Sequence, residues 1–223
     1  MEPRFRTFQK EDLMERRFTS APGHDVVCNR AEGGPATISG YAAIFYDGTP
    51  RTEYQLWEGA VERIMPGAFD RALQEDDIRA LFNHDPSAVL GRSAAGTLAL
   101  SIDDTGLAYR IDAPDTQVGR DVSESVRRRD VTGSSFAFMA TDQEWRTENS
   151  VDIREIKGVQ LFDVGPVTYP AYTATTVGAR SAPSAAEPDE ARASFEAHKA
   201  ARIAAVHART AARVRAVECE CRE

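Results

Sequence analysis

From residue 36 to residue 178, short runs of β-branched and aromatic residues are repeatedly broken by Gly, Pro, Asn and Asp. That punctuation holds the chain to short strands joined by tight turns. Thr37–Phe45 has strand composition and ends at Asp47-Gly48, and Leu56–Ile64 is stopped by Pro66-Gly67. Thr97–Ile102 and Gly106–Ile111 flank Asp103-Asp104-Thr105-Gly106, the pattern of a hairpin. Ala80-Leu81-Phe82 runs into the turn tetrapeptide Asn83-His84-Asp85-Pro86. Val131–Ala140 and Val159–Val167 complete the set of strands. Two helices interrupt it: a short one over Ala68–Leu73, and Thr116–Arg129, where Val118, Val122 and Val126 recur four apart. The expected fold is mainly β with flanking helices (α+β), a compact barrel or sandwich.

The flanks read differently. Residues 1–16 are charged and form a flexible lead-in, with Met14 as a second candidate start and Asp25–Cys28 as a short strand beyond it. The folded domain then spans 17–178. Residues 179–190 hold the linker Ser181-Ala182-Pro183-Ser184-Ala185-Ala186-Glu187-Pro188. Ala, Arg and Glu dominate 191–223, where Ile203, Val206, Val214 and Val217 give a helical tail only a thin apolar stripe.

Composition removes several function classes. With 223 residues, 42% of them hydrophobic, the chain has enough apolar mass for one substantial domain and is not disordered throughout. No run of 18 apolar residues and no charged-then-apolar leader is present, so a soluble cytosolic protein without a membrane partner is expected. A net charge of −8 argues against direct nucleic-acid binding. Three cysteines make no disulfide framework, and Cys219 and Cys221 lack the further ligands a zinc site needs, so neither metal nor cofactor is expected.

Three residues carry candidate chemistry. Of the four histidines only His84 lies inside the β domain, in a turn where it suits general-base work; the bland alternative is a surface turn histidine. In Gly133-Ser134-Ser135-Phe136-Ala137-Phe138, period-2 alternation turns Ser134 inward with the phenylalanines and Ser135 to the outside. Ser135 is therefore the serine able to meet a substrate, against the plain alternative of a strand serine. Asp163, between Phe162 and Val164, is costly to bury without a partner, and a histidine needing orientation is such a partner. The alternative is an edge aspartate facing water. The order His…Ser…Asp differs from the familiar hydrolase orders, and the serine lies in no G-x-S-x-G elbow.

At these residues the chain resembles a known family. Ile38-Ser39-Gly40-Tyr41-Ala42-Ala43-Ile44-Phe45, Glu62-Arg63-Ile64-Met65-Pro66-Gly67-Ala68-Phe69, Asn83-His84-Asp85-Pro86 with Leu90-Gly91-Arg92, Ser134-Ser135-Phe136-Ala137-Phe138 and Asp163–Tyr172 are similar, in order, to the motifs of the tailed-phage prohead proteases of the Hong Kong 97 type. These are distant relatives of herpesvirus assemblin. The resemblance implies a small assemblin-like β-barrel flanked by helices. It also implies a serine endopeptidase that cleaves the scaffold segment of the major capsid protein, and itself, in the host cytoplasm inside the assembling prohead. Its partners are then the capsid protein, its scaffold segment and further copies of the protease. The family histidine falls on His84, the nucleophile on Ser135 and the third member on Asp163, where the family usually has Glu; Ala137 stands where it usually has Gly. A non-proteolytic, scaffold-like assembly protein is the competing reading, and an esterase a weaker third.

Overall fold

The computed structural model describes residues 14–19, 23–30 and 34–169. The linker at 179–190 and the helical tail at 191–223 lie outside the described residues. The strands are β1 (Glu15–Thr19), β2 (Val27–Arg30), β3 (Ala36–Ile44), β4 (Tyr54–Trp57), β5 (Ala60–Ile64), β6 (Arg79–Leu81), β7 (Val89–Arg92), β8 (Leu98–Ile102), β9 (Gly106–Asp112), β10 (Gly133–Glu148) and β11 (Val151–Val167). Among the described residues two α-helices, α1 (Asp70–Glu75) and α2 (Gln117–Arg127), interrupt them.

The strands form two sheets, one of seven strands running β1-β10-β11-β5-β4 with β6 attached to β11 and β7 to β6, the other of four in the order β2-β3-β9-β8. The expected barrel is not closed. Isolated contacts bridge the sheets where a closed barrel would carry a ladder. Tyr46 N–H donates to Ile64 C=O at 2.8 Å, Val26 N–H to Thr132 C=O at 2.9 Å, and Thr19 Oγ1 to Ala42 C=O at 2.7 Å. The sheets face each other across an apolar core that includes Ile38, Leu107 and Ile111 on one side and Ile64, Phe136 and Phe138 on the other. The Phe136 and Phe138 rings stack with centroids 5.0 Å apart, and each is fully buried. Burying such a side chain is worth roughly 1.5–3 kcal/mol.

Local chemistry explains the helices and turns. Thr116 caps α2 by accepting the Gly119 N–H at 3.2 Å, and Val122 and Val126 face the core. The expected strand at 56–64 is two strands, because Gly59, at φ 78°, makes a turn between β4 and β5. The strands expected at 131–140 and 159–167 run on into one long hairpin. Its turn is Asn149-Ser150, both at positive φ (50° and 66°), the twist that suits a two-residue connection.

The site depends on how β11 is shared. One edge pairs antiparallel with β10 along its length. The other takes β5 in parallel at Asp152–Ile156 and then β6 in parallel at Asp163 and Val164. Among the described residues no helix is long and apolar enough to cross a membrane.

Candidate active site

His84 sits in the turn between β6 and β7, Ser135 near the start of β10 and Asp163 near the end of β11. Ser135 lies opposite Gly165 in the β10–β11 ladder, and Asp163 opposite Arg79 in the β11–β6 pairing. Two strands joined by a hairpin thus present a serine and a carboxylate, and the strand added in parallel ends just before the histidine.

These side chains meet in a line. His84 Nδ1 is 2.5 Å from Asp163 Oδ1, and His84 Nε2 is hydrogen-bonded to Ser135 Oγ. A carboxylate only accepts, so Nδ1 carries the ring proton and Nε2 is left as an acceptor facing the hydroxyl. The His84 and Asp163 side chains are 6% and 8% exposed, which removes most competing water from the pair. Asp163 between Phe162 and Val164 therefore has the partner its burial demands. The shorter carboxylate reaches the imidazole because the β6 turn comes close to β11.

Gly165 makes that approach possible. A Cβ there would lie 2.1 Å from the Leu81 carbonyl oxygen, so any side chain would push β6 and the following turn away. The turn itself is unusual: Asn83 and His84 both have positive φ, 54° and 57°. Non-glycine residues visit that region at a cost of roughly 1–2 kcal/mol each, and such outliers gather at functional sites. Asp85 steadies the turn by accepting the Ser87 N–H at 2.8 Å and the Ser87 hydroxyl at 2.6 Å.

The two serines do lie on opposite faces. Ser134 is buried between the sheets with its Oγ 2.9 Å from the Tyr109 hydroxyl, whose pKa burial pushes above its ordinary value. Ser135 is not open to solvent as the alternation alone suggests; it is buried completely. The reason is β1, whose Phe18 pairs with Ser135 and whose Arg17 carbonyl lies 3.0 Å from Ser135 Oγ. The Phe18 ring also meets the imidazole edge to face, with centroids 6.3 Å apart.

Sequence reasoning missed the charges beneath this edge. Arg154 and Glu62 are buried, and together with Arg17 and Glu15 they form an alternating network. Arg17 Nε lies 2.6 Å from Glu62, and Arg154 Nη1 lies 2.6 Å from Glu15 and 2.7 Å from Glu62. Burial alone lowers the pKa of Arg17, but the charges of Glu62 and Glu15 outweigh it and hold the guanidinium above its ordinary value. No local pattern announces such a network. Apart from Glu15 and Arg17, both on β1, its members are distant in sequence and become neighbours only when β1, β5 and β11 share a sheet. Among the described residues no group of three or more His, Cys, Asp or Glu side chains is arranged to hold a metal ion.

An imidazole bridging a buried carboxylate and a strand serine is an arrangement suited to acyl transfer. Residues 24–188 match the sequence model of the caudovirus prohead serine proteases, and the chain belongs to that family. Two solved chains resemble the fold. One is the bacteriophage T4 capsid assembly protease, gp21, at 11% identity and a TM-score of 0.45, with 70% of this chain and 98% of that chain covered. No curated protein matches the sequence.

Proposed function

We propose that this protein is a serine endopeptidase that cleaves the scaffold segment of the major capsid protein, and itself, while the prohead matures. The observation that carries the reading is the line Asp163–His84–Ser135, assembled from three separate elements of a chain that belongs to the prohead serine proteases.

In this reading Ser135 Oγ attacks the scissile carbonyl carbon as His84 Nε2 takes the hydroxyl proton. Asp163 holds the Nδ1 proton in place and stabilises the imidazolium. The tetrahedral intermediate collapses, the C–N bond breaks, and the departing amine takes the proton from Nε2. A water molecule then gives a proton to His84 as it attacks the acyl carbon. His84 returns that proton to Ser135 Oγ as the second tetrahedral intermediate collapses, which releases the carboxylate product and restores the serine. No cofactor takes part. The work is done inside the assembling particle, where capsid protein and protease are held together.

The test is co-expression of the full chain with the major capsid protein of the same genome, followed by mass spectrometry of the assembled particles. Trimmed capsid protein with the native chain, and full-length capsid protein with Ser135→Ala, is the expected result. Particles that mature identically with both chains would favour the non-proteolytic assembly role.

A further inference from the structure

The residue before His84 does more than complete a turn. In a regular parallel ladder, a residue donates its N–H to one carbonyl of the neighbouring strand and accepts, through its own carbonyl, from the N–H two residues further along. Asn83 makes the first bond, from its N–H to Pro166 C=O at 3.1 Å. The second, from Thr168 N–H, goes to the side-chain Oδ1 of Asn83 at 2.9 Å. The amide nitrogen adds a third bond, to Thr168 Oγ1 at 3.1 Å. The Asn83 side chain thus stands in for a backbone carbonyl in the pairing that β6 began at Asp163 and Val164.

That substitution has a purpose in the local geometry. Asn83 is at φ 54° and His84 at φ 57°, so the chain leaves the sheet at this point. With an ordinary residue, leaving the sheet would forfeit the bond to Thr168. Asn tolerates the left-handed region better than most residues and has a side-chain carbonyl at the right reach. The turn can then break away towards Ser135 while its first residue stays bonded to the same strand that carries Asp163.

We propose that Asn83 is a positioning residue. Its side-chain amide, clamped on Thr168, fixes the His84 imidazole between Asp163 and Ser135. This rests on the catalytic reading given above. Asn83 touches neither Ser135 nor the substrate in this role; it acts through His84. Displacing a catalytic group by about 1 Å can cost on the order of a hundredfold in rate, which sets the scale of the effect.

The experiment measures inactivation of the full-length protein by a fluorophosphonate probe, which reports the reactivity of the serine without a known cleavage sequence. Asn83→Gly keeps the left-handed backbone and removes the clamp. The maximal inactivation rate should fall roughly 10- to 100-fold while the half-saturating probe concentration stays within about twofold. Thr168→Val keeps the N–H bond and removes only the hydroxyl, so its rate should fall about two- to fivefold. Asn83→Gly labelling at the native rate, with Ser135→Ala unlabelled, would overturn the positioning role and leave the catalytic reading standing. Persistent labelling of Ser135→Ala at the native rate would overturn both. Should Asn83→Gly fail to fold, Thr168→Val decides alone, and a native rate there counts against the proposal.

Discussion

Arg154 and Glu62 meet 2.7 Å apart with side chains only 2% and 0% exposed, and this pair anchors the sheet edge that carries β1. The carboxylate also accepts from Arg17 Nε and Nη2, at 2.6 and 2.9 Å, so two guanidiniums share one buried charge. Removing that charge leaves both cations to share the one remaining carboxylate, Glu15, in a largely dry environment. Glu62→Gln, which keeps the volume, should therefore cost about 3–5 kcal/mol of stability. Urea unfolding is the measurement. A midpoint unchanged from the native protein would show that the network contributes nothing net.

The two adjacent serines should separate function from packing. Ser135→Ala should abolish cleavage of the capsid protein without unfolding the chain. Ser134→Ala should retain substantial activity, and should lose about 1–3 kcal/mol of stability because the buried Tyr109 hydroxyl loses its partner. Equal loss of activity in two folded variants would refute the assignment of Ser135.

The other two members of the line should rank by role. His84→Ala should be as damaging as the serine change, on the order of a 10⁶-fold loss, since a hydroxyl without a base is a poor nucleophile. Asp163→Asn should lose less, on the order of 10⁴-fold, with binding intact. Single-turnover rates on a cleaved peptide give the comparison. A fully active Asp163→Asn would mean that another group orients the imidazole. Glu155 is poorly placed for it, since Arg146 Nη2 already lies 2.8 Å from its carboxylate.

Gly165→Ala tests the approach of β6 to β11. The added methyl would lie 2.1 Å from the Leu81 carbonyl oxygen, and backbone must move to admit it. The expected outcome is a folded but less stable protein, by about 1–3 kcal/mol, with little labelling of Ser135 by a fluorophosphonate. Native labelling would show that the close approach is dispensable.

What the sequence disclosed, and what it hid, follows the source of each element's stability. A strand that buries apolar residues in alternation, such as β9 with Leu107, Tyr109 and Ile111, and the helix with its Val stripe, are visible because their pattern is their reason for folding. β1 was hidden: Glu15 and Arg16 read as the end of a charged lead-in, and the ion pairs of Glu15 with Arg154 and of Arg17 with Glu62 join partners far apart in sequence. The outer half of the long hairpin was hidden too, because Asn149-Ser150 lacks the glycine that usually marks such a turn. His84, Ser135 and Asp163 were each visible as types in motifs. Their meeting was expected from the need of Asp163 for a partner and from the resemblance, and not from periodicity, because it depends on the parallel pairing of β6 with β11, which leaves no periodic trace. Asn83 read only as a turn former for the same reason.

That parallel pairing also sets when in the life of the chain the site can exist. His84 is made 51 residues before Ser135 and 79 before Asp163, and no two of the three share a local element. A ribosome-bound chain that has released the histidine and the serine still lacks the strand on which the histidine turn docks. Contacts this far apart close late and slowly. The line of three therefore comes together only after the last strand of the described domain has been synthesised and paired, and a half-made chain carries its serine with no base beside it.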